Sequence, residues 1–183
     1  MIILASTSPR RKELLSMAGI EYTCIPSDAE EIIPDDLPAD KVPEHLSFIK
    51  ADAVFRSHPE DTVIGADTIV YVDGEILGKP KDKDDAFFML KKLSGRTHTV
   101  FTGVTVISPA GRKSFTSSTE VEFYNLSDDE IQRYIETGEP MDKAGAYGIQ
   151  GYGSILVKRI CGDYFTVMGL PVAEVARAIG KVF

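Results

Sequence analysis

The order of the predicted helices and strands is the feature that most constrains the fold. Early in the chain, strands at residues 1–5 and 22–26 alternate with helices that begin at Ser8-Pro9 and near residue 42. From Asp73-Gly74 onward, hairpins dominate, and this dipeptide is itself a strong hairpin signal. Alternation followed by hairpins predicts an α/β fold in which helices flank a mixed sheet.

The remaining predicted elements follow from apolar periodicity, helix caps and turn residues. Ser127 and Glu130 have the spacing of a capping box, which predicts the start of a helix there. The predicted strands are residues 62–66, 69–72, 75–77, 97–107, 112–124, 154–160 and 164–167, and the predicted helices are 42–57, 83–93, 127–138 and one from Pro171.

Length, charge and cysteine content limit the class of protein. A chain of 183 residues can bury one continuous core, so we expect a single domain over residues 1–183. A net charge of −8 argues against a nucleic-acid partner, and apolar stretches well short of about 20 residues argue against a membrane partner. Cys24 and Cys161 form no disulfide or metal-ligand pattern, which favours the cytoplasm.

A polar segment from Ser6 to Arg11 lies where the first predicted strand meets the first helix. The hydroxyls of Ser6 and Ser8, the helix-start amides and the guanidinium groups of Arg10 and Arg11 are the donors that bind phosphate oxygens. The segment therefore predicts a polyphosphate site. An ordinary helix start with solvated arginines remains the alternative.

Two acidic positions are candidates for catalysis and metal binding. Asp67 follows the predicted strand 62–66, where its carboxylate could orient or deprotonate a water; the alternative is a turn aspartate. Glu30 and Glu31 lie in an acidic, proline-containing loop and could supply oxygen ligands to a magnesium-type ion, although most such runs are simply solvated.

Two lysines occur in unusual settings. Lys50 lies four residues from both Leu46 and Val54, so it borders the apolar stripe of its helix and its ammonium could reach a cleft. A lysine whose stem covers the core while its ammonium reaches solvent is the alternative. Lys79 follows a hairpin in a Gly-Lys-Pro corner, where a functional role and a plain surface loop are both open.

A glycine-rich segment spans residues 139–153. Its glycines permit close backbone approach, and Gln150 offers both a donor and an acceptor that could frame a nucleotide base. Glycines that serve turn geometry alone are the alternative. The three histidines are scattered, and no P-loop motif or nucleophile elbow is present.

Taken together, these segments resemble the Maf family of nucleotide pyrophosphatases, which is similar in fold to the inosine-triphosphate pyrophosphatases. The resemblance implies a long twisted mixed sheet with flanking helices, two lobes with a central cleft, and a homodimer. The segments that carry it are STSPRRKELL (6–15), EE (30–31), KA (50–51), GADTIV (65–70), LGKP (77–80), LSGRTHTVFTGV (93–104), EPMDKAGAYGIQG (139–151) and GDYFTVMGLP (162–171).

The resemblance also implies a reaction, a cofactor and residue roles. Asp67 would be the proton acceptor that activates water for attack on the α-phosphorus of a nucleoside triphosphate. Glu31 and Asp67 would hold a divalent cation, Mg²⁺ or Mn²⁺. The remaining implied contacts go to the phosphates, from the cations of Arg10, Arg11, Lys50 and Lys79 and the hydroxyls of Ser6 and Ser8.

Three residues bear on the choice of base. The combination of Arg11, Thr68 and Gln150 resembles the branch of the family that acts on dTTP and UTP. The alternatives are the branch that acts on 7-methyl-GTP and a non-catalytic, nucleotide-binding regulator of cell division and septum formation. The run Tyr164–Met168 is a less usual variant for the family and bears on the shape of the pocket rather than on the chemistry.

Overall fold

The computed structural model describes residues 1–182, and within them seven strands form one mixed sheet. The strand order is β2-β1-β3-β5-β6-β7, and β4 pairs with β3. β1 is parallel to β2 and β3, whereas β4 and β7 are antiparallel to β3 and β6. The strands are β1 (Ile2–Leu4), β2 (Thr23–Cys24), β3 (Thr62–Val72), β4 (Glu75–Leu77), β5 (Thr97–Ser108), β6 (Gly111–Phe123) and β7 (Val157–Cys161).

Six α-helices accompany the sheet within the same residues, so the predicted fold class is confirmed. They are α1 (Pro9–Met17), α2 (Val42–Phe55), α3 (Lys83–Leu93), α4 (Asp128–Glu136), α5 (Tyr164–Met168) and α6 (Val172–Ala178). The 3-10 turns are Ala39–Lys41, Glu139–Asp142, Ala144–Ala146 and Gly151–Ile155. None of the helices in residues 1–182 is both long and apolar enough to cross a membrane.

Three sequence predictions are wrong. The strand predicted to end at residue 66 continues to Val72, so Asp67 lies inside β3 and is not a turn aspartate. The strand predicted at 164–167 is the helix α5, because the Asp163 carboxylate accepts hydrogen bonds from the amide (2.8 Å) and hydroxyl (3.0 Å) of Thr166. That contact satisfies a free amide of the first helical turn. β7 also begins later than predicted, because residues 151–155 form a 3-10 turn.

The chain divides into two compact units. Unit 1 contains Met1–Thr68, Thr102–Ser117 and the segment from Gly169 onward, and unit 2 contains Ile69–Phe101 and Ser118–Met168. β3, β5 and β6 each contribute residues to both units. The single domain predicted from the sequence ends at Phe183, which lies outside the described residues.

Unit 1 packs α2 against the backbone of two strands. Its core includes Ile3, Ala5, Ala51, Val54, Val63 and Ile107. A Cβ on Gly65 would lie 2.2 Å from the carbonyl oxygen of Ser47, and one on Gly103 would lie 2.1 Å from the carbonyl carbon of Pro43. Both distances are far shorter than van der Waals contact, so glycine is required where β3 and β5 meet α2. This close approach fixes the position of the helix that carries Lys50.

Unit 2 has a separate core that contains an aromatic cluster. The rings of His98, Phe123 and Tyr147 meet edge to face, with centroids 4.7 to 5.3 Å apart. His98 Nε2 lies 2.7 Å from the hydroxyl of Tyr147, and the imidazole is only 2% exposed. Burial lowers the pKa of His98 to about 4, so the ring is neutral at pH 7.

Candidate active site

A lysine and two carboxylates form a charge cluster in unit 1. Lys50 Nζ lies 2.6 Å from Asp67 Oδ1 and 3.1 Å from Glu31 Oε2. The side chains of Lys50 and Asp67 are 14% and 15% exposed, whereas Glu31 is half exposed. Lys50 thus joins the two predicted acidic residues instead of extending along the surface into solvent.

Arg11 is the centre of a second polar network in unit 1. Its Nε donates to the carbonyl of Gly169 (2.8 Å), Nη1 donates to Ser6 Oγ (3.2 Å) and Nη2 donates to Thr68 Oγ1 (3.3 Å). Burial lowers the pKa of Arg11, and the charge of Asp67 opposes that shift, so the guanidinium remains a cation. The structure therefore brings together Ser6, Arg11 and Thr68 from the predicted set.

The start of α1 places the other predicted phosphate ligands. Ser6 Oγ accepts a hydrogen bond from the amide of Ser8 (3.2 Å), and the Ser8 side chain makes no capping bond. Pro9 occupies the first turn, where its missing N–H has no cost. Arg10 follows in that turn with a half-buried side chain. The first-turn amides of α1 thus have no serine cap and remain suited to an anion.

Lys79 and Gln150 belong to unit 2. Lys79 is exposed and makes no ion pair with any residue in 1–182. The carbonyl of the preceding residue, Gly78, accepts a hydrogen bond from the amide of Gly145 (3.0 Å), which ties the Lys79 corner to the glycine-rich segment. Gln150 is half-buried, and its side-chain amide has no hydrogen-bond partner among the described residues. Both polar groups are therefore available to a ligand.

Two carboxylates of the described residues converge as candidate oxygen ligands for a divalent cation. Residues 1–182 contain no group of three or more His, Cys, Asp or Glu side chains placed to hold a metal. Glu31 and Asp67, however, converge on one ammonium group. Mg²⁺ is commonly held by one or two carboxylates together with substrate phosphates and water, and this pair fits that donor set.

Thr102 is a polar residue of this site that the sequence did not single out. Its hydroxyl lies 2.9 Å from that of Thr68, next to the Arg11 network, and the residue is fully buried on β5. The pair depends on the adjacency of β3 and β5 in the sheet, which no local sequence signal reveals. The sequence likewise places Glu139 only within the motif at residues 139–151, although its carboxylate makes several contacts in unit 2.

Comparison with known proteins identifies the family of the chain. The sequence model of the family described as "Maf-like protein" matches residues 1–182. The dTTP/UTP pyrophosphatase of Bacillus pumilus (strain SAFR-032) is 55% identical over 97% of this chain and 94% of its own length. The dTTP/UTP pyrophosphatase of Bacillus velezensis is 52% identical over 97% and 94% of the two chains.

A solved structure supports the fold independently. The HAM1 protein of Coxiella burnetii superposes with a TM-score of 0.57 at 12% identity, and the match covers 99% of this chain and 98% of the other. At that identity the likeness concerns the fold alone. It agrees with the predicted mixed sheet and flanking helices.

Proposed function

The chain belongs to the Maf family, and on that premise we propose that it hydrolyses dTTP and UTP to the nucleoside monophosphate and pyrophosphate. Two relatives with identities of 55% and 52% over almost the whole chain are dTTP/UTP pyrophosphatases. The observation that carries the chemistry is the contact of Lys50 with Asp67 and Glu31. It joins a candidate base, a candidate metal ligand and a cation in one place.

Asp67 is proposed as the proton acceptor. Lys50 Nζ binds Oδ1 of this carboxylate, and no hydrogen bond from residues 1–182 reaches Oδ2. Oδ2 is therefore the oxygen that can take a proton from the attacking water. The water oxygen forms a bond to the α-phosphorus while the bond from that phosphorus to the bridging oxygen breaks. The electron pair of the broken bond leaves with pyrophosphate.

Cations are proposed to stabilise the charge that develops on the phosphates. Arg10 and Lys79 are assigned to phosphate oxygens, with the hydroxyls of Ser6 and Ser8 and the amides of the α1 start. Lys50 neutralises the two carboxylates, so that an anionic substrate can approach them. Glu31 and Asp67 would hold Mg²⁺ or Mn²⁺, which when bound neutralises phosphate charge and polarises the reacting phosphorus.

Arg11, Thr68 and Gln150 are proposed to select the base. Thymine and uracil share a C4 carbonyl acceptor and an N3–H donor. A primary amide offers the matching donor and acceptor, and Arg11 has only donors, which favours a carbonyl over an amino group. Arg11 still has N–H groups for a ligand after its three contacts with protein oxygens. This assignment explains acceptance of both dTTP and UTP.

Pyrophosphate release from a panel of triphosphates tests the proposal. Purified protein with Mg²⁺ or Mn²⁺ is given dTTP, UTP, CTP, 7-methyl-GTP, ATP and GTP, and a parallel series contains EDTA. We expect dTTP and UTP to give the highest kcat/KM, and EDTA to abolish release. A preference for 7-methyl-GTP would overturn the base assignment, and no release from any triphosphate would overturn the function.

Assembly and location are further parts of the proposal. We propose a homodimer, as the family resemblance implies, and light scattering after gel filtration should give a mass near twice 20.0 kDa. A cytoplasmic location is supported by Cys24 and Cys161, which are both free thiols. A monomeric mass, or fractionation away from the cytoplasm, would count against these assignments.

A further inference from the structure

The Glu139 carboxylate binds the backbone of the glycine-rich segment in unit 2. Its Oε1 accepts hydrogen bonds from the amide of Gly153 and the hydroxyl of Tyr134, each 2.9 Å long. Its Oε2 accepts a third from the amide of Tyr152, also 2.9 Å long. One side chain therefore fixes two consecutive main-chain amides located two and three residues after Gln150.

Tyr134 holds the same segment on the other side of Gln150. Its hydroxyl accepts a hydrogen bond from the amide of Gly148 (3.1 Å) while donating to Glu139. Tyr134 is buried, and burial raises the pKa of its phenol, so the group keeps the proton that it donates to the carboxylate. Gln150 is thus bracketed by anchored amides at Gly148 and Tyr152.

Glycines in the segment make the approach of Glu139 possible. Gly151 has a φ of +63°, and a Cβ there would lie 2.5 Å from Glu139 Oε2. A Cβ on Gly153 would lie 2.1 Å from the carbonyl oxygen of Gly148 and 2.7 Å from the Tyr134 hydroxyl. Side chains at these positions would displace the carboxylate or the tyrosine. The two glycines therefore serve this hydrogen-bond arrangement as well as turn geometry.

Gln150 has a side-chain amide that makes no hydrogen bond within residues 1–182. The backbone on both sides of it is held by Glu139 and Tyr134. A residue that recognises a ligand benefits from a fixed backbone and a polar side chain without protein partners. Because the loop is already ordered, little binding energy is spent on ordering it.

We propose that Glu139 is a positioning residue for base selection, which holds the backbone around Gln150 and so presents the Gln150 amide to the pyrimidine. This inference rests on the proposed function, because it takes Gln150 to contact the base. Glu139 acts through Gln150 and takes no part in the hydrolysis. Its loss should therefore weaken the binding of pyrimidine triphosphates more than it slows their turnover.

Glu139→Gln is the most informative change. The side chain keeps its shape, but an NH₂ group replaces one oxygen and cannot accept from a main-chain amide. The amide of Tyr152 or Gly153 that loses its acceptor no longer holds the segment, and the loss of one such hydrogen bond corresponds to about a tenfold change in binding. We expect an increase of that size in the KM for dTTP and UTP, with kcat changed less than threefold. Glu122→Gln makes the same chemical change on β6, where Glu122 pairs with Lys158, and should leave both constants unchanged.

A double-mutant cycle separates positioning from general destabilisation. kcat/KM for dTTP is measured for wild type, Glu139→Gln, Gln150→Ala and the double variant. We expect the double variant to match Gln150→Ala alone, because Glu139 acts through that amide. Independent losses that multiply would overturn the proposal, as would a Glu139→Gln variant that behaves like wild type.

Two further results keep the test decisive. If Glu139→Gln does not fold, Tyr134→Phe removes the hydroxyl that binds both Glu139 and Gly148, and the cycle is repeated with that variant. If wild type hydrolyses dTTP but the cycle is multiplicative, the positioning role alone fails. If wild type releases no pyrophosphate from any triphosphate, the proposed function itself fails.

Discussion

Asp67 in unit 1 and Glu139 in unit 2 are carboxylates with different kinds of hydrogen-bond partner. Asp67 in unit 1 accepts a hydrogen bond from a side-chain cation, Lys50, and its other oxygen accepts none from residues 1–182. Glu139 in unit 2 has both oxygens engaged, mainly by main-chain amides. A side-chain partner can move when a substrate binds, whereas amide partners fix the path of a loop. From this difference we assign Asp67 to the reaction and Glu139 to the conformation of the glycine-rich segment.

Asp67→Asn should have the largest effect, because it removes the carboxylate to which the reaction chemistry is assigned. The amide keeps the shape of the side chain but cannot take a proton from water, so we expect kcat for dTTP to fall by about 10²- to 10⁴-fold. Stopped assays of pyrophosphate release measure it. Asp52→Asn is the control, because Asp52 pairs with the exposed Arg56 in the same unit and should retain wild-type rates.

Lys79→Ala tests whether a charge in unit 2 contributes to substrate binding and turnover. Loss of one charged hydrogen bond to a phosphate should lower kcat/KM by roughly 10- to 100-fold. The melting temperature should not change, because Lys79 is exposed and has no ion pair within residues 1–182. Lys81→Ala removes a neighbouring exposed charge and should behave like wild type. Equal losses in the two variants would indicate a general charge effect.

Thr68→Val tests whether the hydrogen-bond network around Arg11 contributes to base selection. The substitution removes the hydroxyl that lies between Arg11 and Thr102 but keeps the branched shape. We expect the preference for dTTP over CTP, measured as the ratio of kcat/KM values, to fall by about tenfold. Thr105→Val deletes another buried hydroxyl of unit 1 and should change stability without changing that ratio. An unchanged ratio in Thr68→Val would remove Thr68 from base selection.

The smallest expected effect concerns the pH dependence of stability in unit 2. Burial lowers the pKa of His98 from 6.5 to about 4, so the unfolded chain binds a proton more readily than the folded one. The free energy of unfolding that depends on the neutral ring is therefore fully present well above pH 6.5, and it is lost progressively as the pH falls toward 4. Between pH 7.5 and 6 the loss should be about 0.8 kcal/mol.

Urea unfolding at the two pH values measures this loss. Comparison with His98→Gln isolates it from the titration of other groups, because the glutamine variant lacks the ionisable ring. The difference between the two proteins should grow below pH 6. A wild type and variant with the same pH dependence would contradict the assignment of a buried, neutral imidazole.

The sequence predicted those parts of the fold that depend on neighbouring residues. Asp73 and Gly74 have φ values of +51° and +83° and connect β3 to β4 as a tight hairpin. Ser127 and Glu130 form both bonds of the predicted capping box. Each of these signals involves residues within four positions of one another, so the local chemistry is sufficient.

Two failures show where local signals conflict. The aromatic and β-branched run Tyr164–Val167 favours a strand, but Asp163 caps the segment and it forms the helix α5. The polar pair Asp67-Thr68 reads as the end of an apolar strand, although β3 continues through it. In the first segment, the contacts of the Asp163 side chain accompany a helix that the average preference of the run does not predict.

The candidate site was only partly predictable for a related reason. The position of Lys50 beside the apolar stripe of its helix indicated that its ammonium could reach a cleft, and in the structure the ammonium contacts Asp67. The pairing of Thr68 with Thr102 requires knowledge of which strands are adjacent. The bonds from Glu139 to main-chain amides depend on the path of a loop, and the sequence alone does not determine that path.

The central claim is that Asp67 activates water for attack on the α-phosphorus, and hydrolysis of dTTP in ¹⁸O-labelled water tests it most directly. Mass spectrometry of both products, for wild type and Asp67→Asn, locates the oxygen that water supplies. The account predicts label in dTMP, none in pyrophosphate, and almost no labelled product from Asp67→Asn. Label in pyrophosphate, or equal labelling by the two proteins, would contradict it.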